Sequence, residues 1–289
     1  MGTNALVLGG GGLLGISWET GILAGLLESG IDASRADLIA GTSAGAVVGT
    51  QIASGRPIGD LLAEQVGSPA ASIAATMEFD AANLLSIFAR WAAIPEMTRL
   101  RRAEIGALAL ASKTVSEERW VASFEALVSD GWPRRRLLLT AVDAESGAFR
   151  VWDRDSGVDI RRAVASSCAV PGLFPAVTIN GRRYVDGGVR SGTSADLAAG
   201  YDTVLIVAPI GARRDGIDPL LGRQARAEAA ALRAAGSRVE LAFPDAAALE
   251  AIGINRMDPT RRRLAAEAGV REGKELAARL DAVWSRAAA

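Results

Sequence analysis

The sequence predicts a layered α/β fold built on a mixed sheet, and three observations carry that prediction. Short apolar runs at 6–8, 37–40 and 203–208 are each bounded by glycine or turn residues, as buried strands are. Helical spacing follows the first two of them. Two further pairs of runs are separated only by turn residues, which reads as antiparallel pairing, so the sheet is not wholly parallel.

In chain order, Leu6 to Leu8 forms a buried strand that runs into four glycines, Gly9 to Gly12. The stretch Gly15 to Ser29 has helical spacing through Ile16, Leu23, Leu26 and Leu27, with Gly30 as its stop. Asp37 to Ala40 is a second strand, and Ala44 to Ala53 a helix that is small or apolar on nearly every face. From Ile58 to Val128 the pattern is helical but less regular, with Phe79, Leu84, Leu85, Ile87, Phe88, Trp91, Ile94 and Met97 crowded together. That crowded stretch is either a lid or wall of an apolar pocket, or ordinary helix core. An amphipathic helix is expected after Ser116, with Trp120, Phe124, Leu127 and Val128 on one face.

Residues 136–142 and 148–152 read as strands joined through Ser146-Gly147. Val177 to Ile179 and Arg183 to Val185 flank an Asn180-Gly181 hairpin turn, a pair that tolerates the left-handed backbone such turns require. Thr203 to Ala208 and Val239 to Phe243 add two strands, with Asp218-Pro219 opening a helix between them and Asp258-Pro259 opening the C-terminal helices. The expected organisation is a single domain over 1–289, with a helical insertion or lid near 58–130 and C-terminal strands and helices from about 200 completing the fold.

Composition narrows the chemistry. The 289 residues hold 32 basic and 33 acidic side chains, so no long-range field favours nucleic acid, and the 134–136 and 261–263 arginine triplets read as solvated faces. There is no histidine, and Cys168 is the sole cysteine, which excludes an internal disulfide and disfavours any transition-metal site. Cys168 reads as a buried structural thiol. Without a leader or a spanning-length apolar stretch, a soluble, cytoplasmic protein able to touch membranes without crossing them is expected.

Gly41-Thr42-Ser43-Ala44-Gly45 lies between the second strand and its helix, the setting of a nucleophile elbow. There Ser43 would meet the unpaired N–H groups and positive dipole end of a helix, with the Ala44 N–H as an oxyanion donor. The alternative is that Thr42 and Ser43 merely cap that helix. Because the chain lacks histidine, a Ser-His-Asp triad is impossible, and a carboxylate, a lysine or a terminal amine must take the serine proton.

Gly10-x-Gly12-x-x-Gly15 also matches a dinucleotide fingerprint, but Asp37 starts the second strand instead of ending it, the wrong edge for a ribose contact. The run reads better as an oxyanion loop, or as a structural tight turn. For the base, Asp186 in Tyr184-Val185-Asp186-Gly187-Gly188 and Asp143 at the end of its strand are rivals, and either could simply bond turn amides. A competent base would need desolvation and a direct hydrogen bond to the hydroxyl. With no imidazole, the pH profile should lack an inflection near ~6.5 unless a carboxylate has been shifted there.

Three motifs, in order, resemble those of the patatin-like phospholipase family: the glycine run Gly9 to Gly15, the elbow around Ser43, and Asp186-Gly187-Gly188. The segment Ala165-Ser166-Ser167-Cys168-Ala169-Val170-Pro171 is similar to a fourth. The resemblance spans roughly 4–200. It implies a three-layer α/β/α fold with a central mixed, mostly parallel sheet and a helical insertion. It further implies a lipid acyl hydrolase without cofactor, in which Ser43 attacks, Asp186 is the base, and Gly10, Gly11, Gly12 and Ala44 hold the oxyanion. One departure is Leu14, where many relatives carry a basic residue. A transacylase or small-ester esterase with the same dyad, a silent lipid-binding protein and a nucleotide-binding protein are the competing functions.

Overall fold

Eight strands form one sheet in the computed structural model, which describes residues 2–67, 94, 96–128, 131–212, 219–280 and 284. They are β1 (Asn4–Leu8), β2 (Leu38–Gly41), β3 (Leu137–Asp143), β4 (Phe149–Trp152), β5 (Val177–Ile179), β6 (Arg182–Asp186), β7 (Thr203–Val207) and β8 (Arg238–Ala242). The described helices are α1 (Gly12–Glu28), α2 (Ala44–Ala53), α3 (Ile58–Val66), α4 (Arg99–Ala111), α5 (Glu117–Ala122), α6 (Ile160–Ser167), α7 (Leu220–Ala234), α8 (Ala246–Ile252) and α9 (Arg262–Leu280).

β8, β7, β1, β2 and β3 pair in parallel, while β4 and β6 pair antiparallel with β3, and β5 with β6. The fold is therefore α/β with a mixed, mostly parallel sheet. Strands β1, β2 and β7 are buried at every position, the reason each reads as an unbroken apolar run. Alternation sends Leu6 and Leu8 to one face, against α1, α2 and α6, and Ala5 and Val7 to the other, against Ala229 and Leu232 of α7. A third cluster packs Ile105 and Ala109 of α4 on Val142 and Val185. Helices thus cover both faces.

The hairpin forms as expected, with Asn180 and Gly181 both at positive φ, 52° and 74°. Other expectations need correction. The first helix starts at Gly12, three residues early, because Gly11 already caps it. The helix after Ser116 ends at Ala122: the Ser123 hydroxyl donates to the Trp120 carbonyl at 2.6 Å and breaks the ladder, though Trp120, Phe124 and Val128 stay buried. Leu127 turns out instead. Pro219 occupies the cap position of α7, and Asp218 lies outside the described residues. Arg134 to Arg136 are exposed, but Arg261 and Arg262 are structural, donating to the Ala251 carbonyl and to Gln65. Of the crowded 79–97 stretch only Ile94, Glu96 and Met97 are described, so the lid or wall falls outside the described residues. Among the described residues no helix is long and apolar enough to cross a membrane.

Candidate active site

The registers of β3 explain how two distant segments converge. Leu139 faces both Gly41 of β2 and Trp152 of β4, and Ala141 faces both Asp186 of β6 and Arg150 of β4. A strand has two edges, so β4 occupies one, and β2 and β6 share the other, their C-terminal ends pointing at each other. Thr140 lies between the two ends. Its hydroxyl bonds that of Thr42 at 2.7 Å, and a Cβ on Gly187 would fall 2.1 Å from the same oxygen.

Ser43, two residues beyond β2, is held at φ 55° and ψ −115°, a backbone strained for a residue with a side chain. The elbow glycines make the turn sterically feasible. A Cβ on Gly41 would sit 2.4 Å from the Gly45 carbonyl oxygen, and one on Gly45 2.1 Å from that of Leu8. Ser43 makes no side-chain cap bond to α2, which removes the simple capping role. Its hydroxyl instead lies beside the Asp186 carboxylate, close enough to favour the ionised form of that group. The Ser43 N–H is taken by the Ser167 hydroxyl at 3.0 Å, whereas the Ala44 N–H has no hydrogen-bond partner among the described residues.

The glycine run abuts this turn: a Cβ on Gly10 would lie 3.5 Å from the Ser43 Cβ. The four glycines differ in what their amides do. Gly9 donates to Val207 and Gly10 to Gly192, at 2.9 and 2.8 Å, so Gly10 offers a wall but no free donor. The N–H groups of Gly11 and Gly12 have no partner among the described residues. Gly12 has φ 63°, and a Cβ on Gly11 would strike Gly15 and Pro209 at 2.6 Å, so neither position admits another residue cheaply. Of the four expected oxyanion donors, those whose N–H has no partner among the described residues are Gly11, Gly12 and Ala44. Leu14 is fully buried, with its N–H on the Arg256 carbonyl, so it belongs to the core and not to the site. Asp37 accepts the Asn4 N–H at 2.7 Å, at the far end of the strand from the glycines.

Asp186 is 3% exposed, and burial raises its pKa from 3.8 to about 7 despite opposing hydrogen bonds from the Gly188 N–H and Ser43. Asp143 is the contrasting case. Burial pushes its carboxyl up too, but bonds from Ser146, Arg182 and Glu145 outweigh this and hold it below the usual range. It fixes the β3–β4 turn, accepting from the Ser146 N–H at 2.8 Å and the Arg182 guanidinium at 2.8 Å. The rival base is thus fully employed elsewhere.

The 165–171 segment supplies partners that sequence reasoning left unassigned. Besides Ser167, the Cys168 thiol donates to the Ser43 carbonyl at 3.2 Å, and the Ala169 carbonyl receives the Asp186 N–H at 3.0 Å. Burial, then the nearby Asp186 charge, pushes the Cys168 thiol well up, so it is a neutral prop. Its place behind the serine has no local sequence signal. No group of three Cys, Asp or Glu among the described residues could hold a metal ion. A cleft of about 960 Å³ opens elsewhere, beside Phe243, Leu249 and Ile254, and includes neither Ser43 nor Asp186.

The family described as patatin-like phospholipase matches residues 6–199. No curated protein matches the chain. Among solved structures, VipD from Legionella pneumophila is similar at 13% identity and a TM-score of 0.48, over 96% of this chain and 67% of that one. The type III effector protein ExoU is similar at 15% identity and a TM-score of 0.43, over 96% of this chain, which spans about half (53%) of the ExoU chain.

Proposed function

The chain belongs to the patatin-like phospholipase family, and from that premise we propose that it is a serine hydrolase of lipid carboxylic esters working through Ser43 and Asp186. The observation that supports the proposal is the Asp186 carboxylate beside the Ser43 hydroxyl, buried and with its pKa raised to about 7. An ordinary aspartate near 3.9 is a weak base, while one near neutrality accepts a proton far more readily.

The carboxylate takes the Ser43 proton as Oγ attacks the acyl carbonyl carbon. Negative charge develops on the carbonyl oxygen, where the Gly11, Gly12 and Ala44 N–H groups and the N-terminal end of α2 stabilise it. The tetrahedral species collapses by breaking the bond to the alcohol oxygen, which leaves with the proton from Asp186. Water then attacks the acyl-serine, again giving its proton to Asp186; the bond from the acyl carbon to Ser43 Oγ breaks, Oγ takes that proton back from Asp186, and the carboxylic acid departs. The substrate class is taken from the family, a lipid or simple ester, and peripheral contact with a lipid surface is part of the proposal.

The test is chromophore release from short- and long-chain p-nitrophenyl esters by wild type and by folded Ser43→Ala and Asp186→Asn proteins. Loss by at least ~10³-fold in both is expected for groups that act as a unit. An Asp186→Asn protein that keeps a sizeable rate removes the dyad. A wild type inert on every ester favours a lipid-binding protein without catalysis.

A further inference from the structure

Ser43 and Asp186 come from the ends of different strands, and one short segment holds the backbone of both. It is 167–169, where α6 ends. The Ser167 hydroxyl accepts the Ser43 N–H at 3.0 Å, the Cys168 thiol donates to the Ser43 carbonyl at 3.2 Å, and the Ala169 carbonyl accepts the Asp186 N–H at 3.0 Å. Three consecutive residues thus hold the serine at both of its peptide groups and the aspartate at one. Cys168 is also near enough to Asp186 for that charge to raise its thiol pKa, so the thiol neighbours both residues.

The segment is itself pinned. Trp120 Nε1 donates to the Ala165 carbonyl at 3.0 Å, and Trp152 Nε1 to the Ser166 hydroxyl at 3.1 Å, which in turn donates to the Ala163 carbonyl at 2.7 Å. Trp120 stacks on Phe174 with ring centroids 3.9 Å apart, and Trp152 packs edge-on against Tyr184, two residues before Asp186. Ser166, Ser167 and Ala169 are fully buried.

The need for such a hold follows from the backbone and from the chemistry. Ser43 sits at φ 55°, a conformation that persists for a residue with a side chain only where its surroundings over-determine it. Its N–H has no acceptor but Ser167 among the described residues, so without that hydroxyl the turn would bury an unpaired donor. Its carbonyl is better provided, taking the Ala46 N–H at 2.9 Å besides the thiol. With no imidazole to bridge them, the serine and the aspartate must meet directly. A misplacement of about 1 Å in such a pair costs ~10²-fold in rate.

We propose that Ser167 is a positioning residue of the hydrolase, its hydroxyl fixing the Ser43 backbone so that Oγ stays beside the Asp186 carboxylate, with Cys168 in a lesser supporting role. The proposal rests on the hydrolase function above and extends it to a side chain that acts through the serine's own peptide groups.

The test compares Ser167→Thr with Ser167→Val, which are alike in shape and β-branching and differ in the hydroxyl, and adds Ser167→Ala, which removes the hydroxyl without adding volume. The first readout is the rate constant for labelling of Ser43 by a fluorophosphonate, followed by intact mass. Oγ forms the bond to phosphorus, the P–F bond breaks, fluoride leaves and the serine proton passes to Asp186. Unfolded protein lowers the amplitude of labelling and not its rate constant, so lost stability is separated from lost positioning. The second readout is kcat and KM on a short-chain p-nitrophenyl ester.

Ser167→Val and Ser167→Ala should lower the rate constant and kcat by ~10²-fold with KM within about twofold of wild type, and Ser167→Thr should recover to within about tenfold. Cys168→Ala should lose less than Ser167→Ala, because the Ser43 carbonyl keeps the Ala46 N–H. Equal slowing of the Thr and Val variants, or reduced amplitude at the wild-type rate constant, overturns the role. If the added methyl stops both from folding, Ser167→Ala decides: slow labelling supports the role and a wild-type rate constant overturns it. A wild type that neither labels nor turns over the ester removes the hydrolase function, and the positioning role falls with it.

Discussion

Asp186 makes a quantitative forecast because its pKa, about 7, falls where activity is easily measured. If the ionised form is the base, the active fraction is about one tenth at pH 6 and nine tenths at pH 8, so acylation should rise nearly tenfold and then level. The assay is the pre-steady-state burst from a soluble p-nitrophenyl ester between pH 5 and 9.5. With no histidine in the chain, imidazole cannot produce that inflection. The same shift has a stability counterpart. A carboxyl raised from 3.8 to about 7 makes a stability contribution that is fully present below pH 3.8 and lost as pH rises through 7, about 4 kcal/mol in all. Asp186→Asn should therefore match the wild type in urea below pH 3.8 and exceed it by up to ~4 kcal/mol at pH 8. A rate profile flat from pH 6 to 8, or an inflection below pH 5, would refute the argument that burial makes this aspartate the base.

Gly45→Ala should cost more than ~3 kcal/mol or abolish folding, since its Cβ would overlap the Leu8 carbonyl oxygen. Gly59→Ala, in α3 with nothing within 4 Å of the new Cβ, should instead gain up to ~1 kcal/mol; thermal melts of the pair measure the contrast, and similar melts would contradict the steric account. Glu19 is fully buried in α1, and its oxygens find no partner within bonding distance among the described residues. Burial raises its carboxyl well above 4.5, with only the Gly9 backbone opposing, so its stability contribution is present below pH 4.5 and lost as pH rises. Glu19→Gln should then raise Tm by more at pH 8 than at pH 4.5, and an equal change at both values would show that Glu19 is not held neutral.

The parts legible in the sequence are those with local causes. Strands buried on both faces announce themselves as apolar runs, and α2 matches its expected span because Gly41 and Ser54 bracket a stretch of small apolar residues. The turns that carry Ser43 and Asp186 were legible through their glycines, which mark close backbone approaches. What stayed hidden depends on pairings across the chain. No local pattern states that β2 and β6 share an edge of β3, that Gly192 consumes the Gly10 amide, or that Ser167 takes the Ser43 N–H. Nor does the alanine-rich 262–280 stretch reveal that Gly269 and Gly273 bring α9 against the backbone of α1.

The missing histidine and the shared strand edge are two sides of one arrangement. An imidazole titrates near neutrality in water, so it needs no special burial to act as a base. A carboxylate must be driven there, and the antiparallel approach of β6 to the end of β2 supplies the means. It places Asp186 under the elbow, 3% exposed, with only the Gly188 N–H bond and the neighbouring Ser43 hydroxyl lowering its pKa. A further donor would return it toward an ordinary aspartate, as Asp143 shows: its bonds from Ser146, Arg182 and Glu145 overcome a burial penalty of the same sign. The two aspartates therefore differ in two respects, the deeper desolvation of Asp186 and the larger number of donors on Asp143, and at Asp186 the turn supplies one backbone donor, the Gly188 N–H.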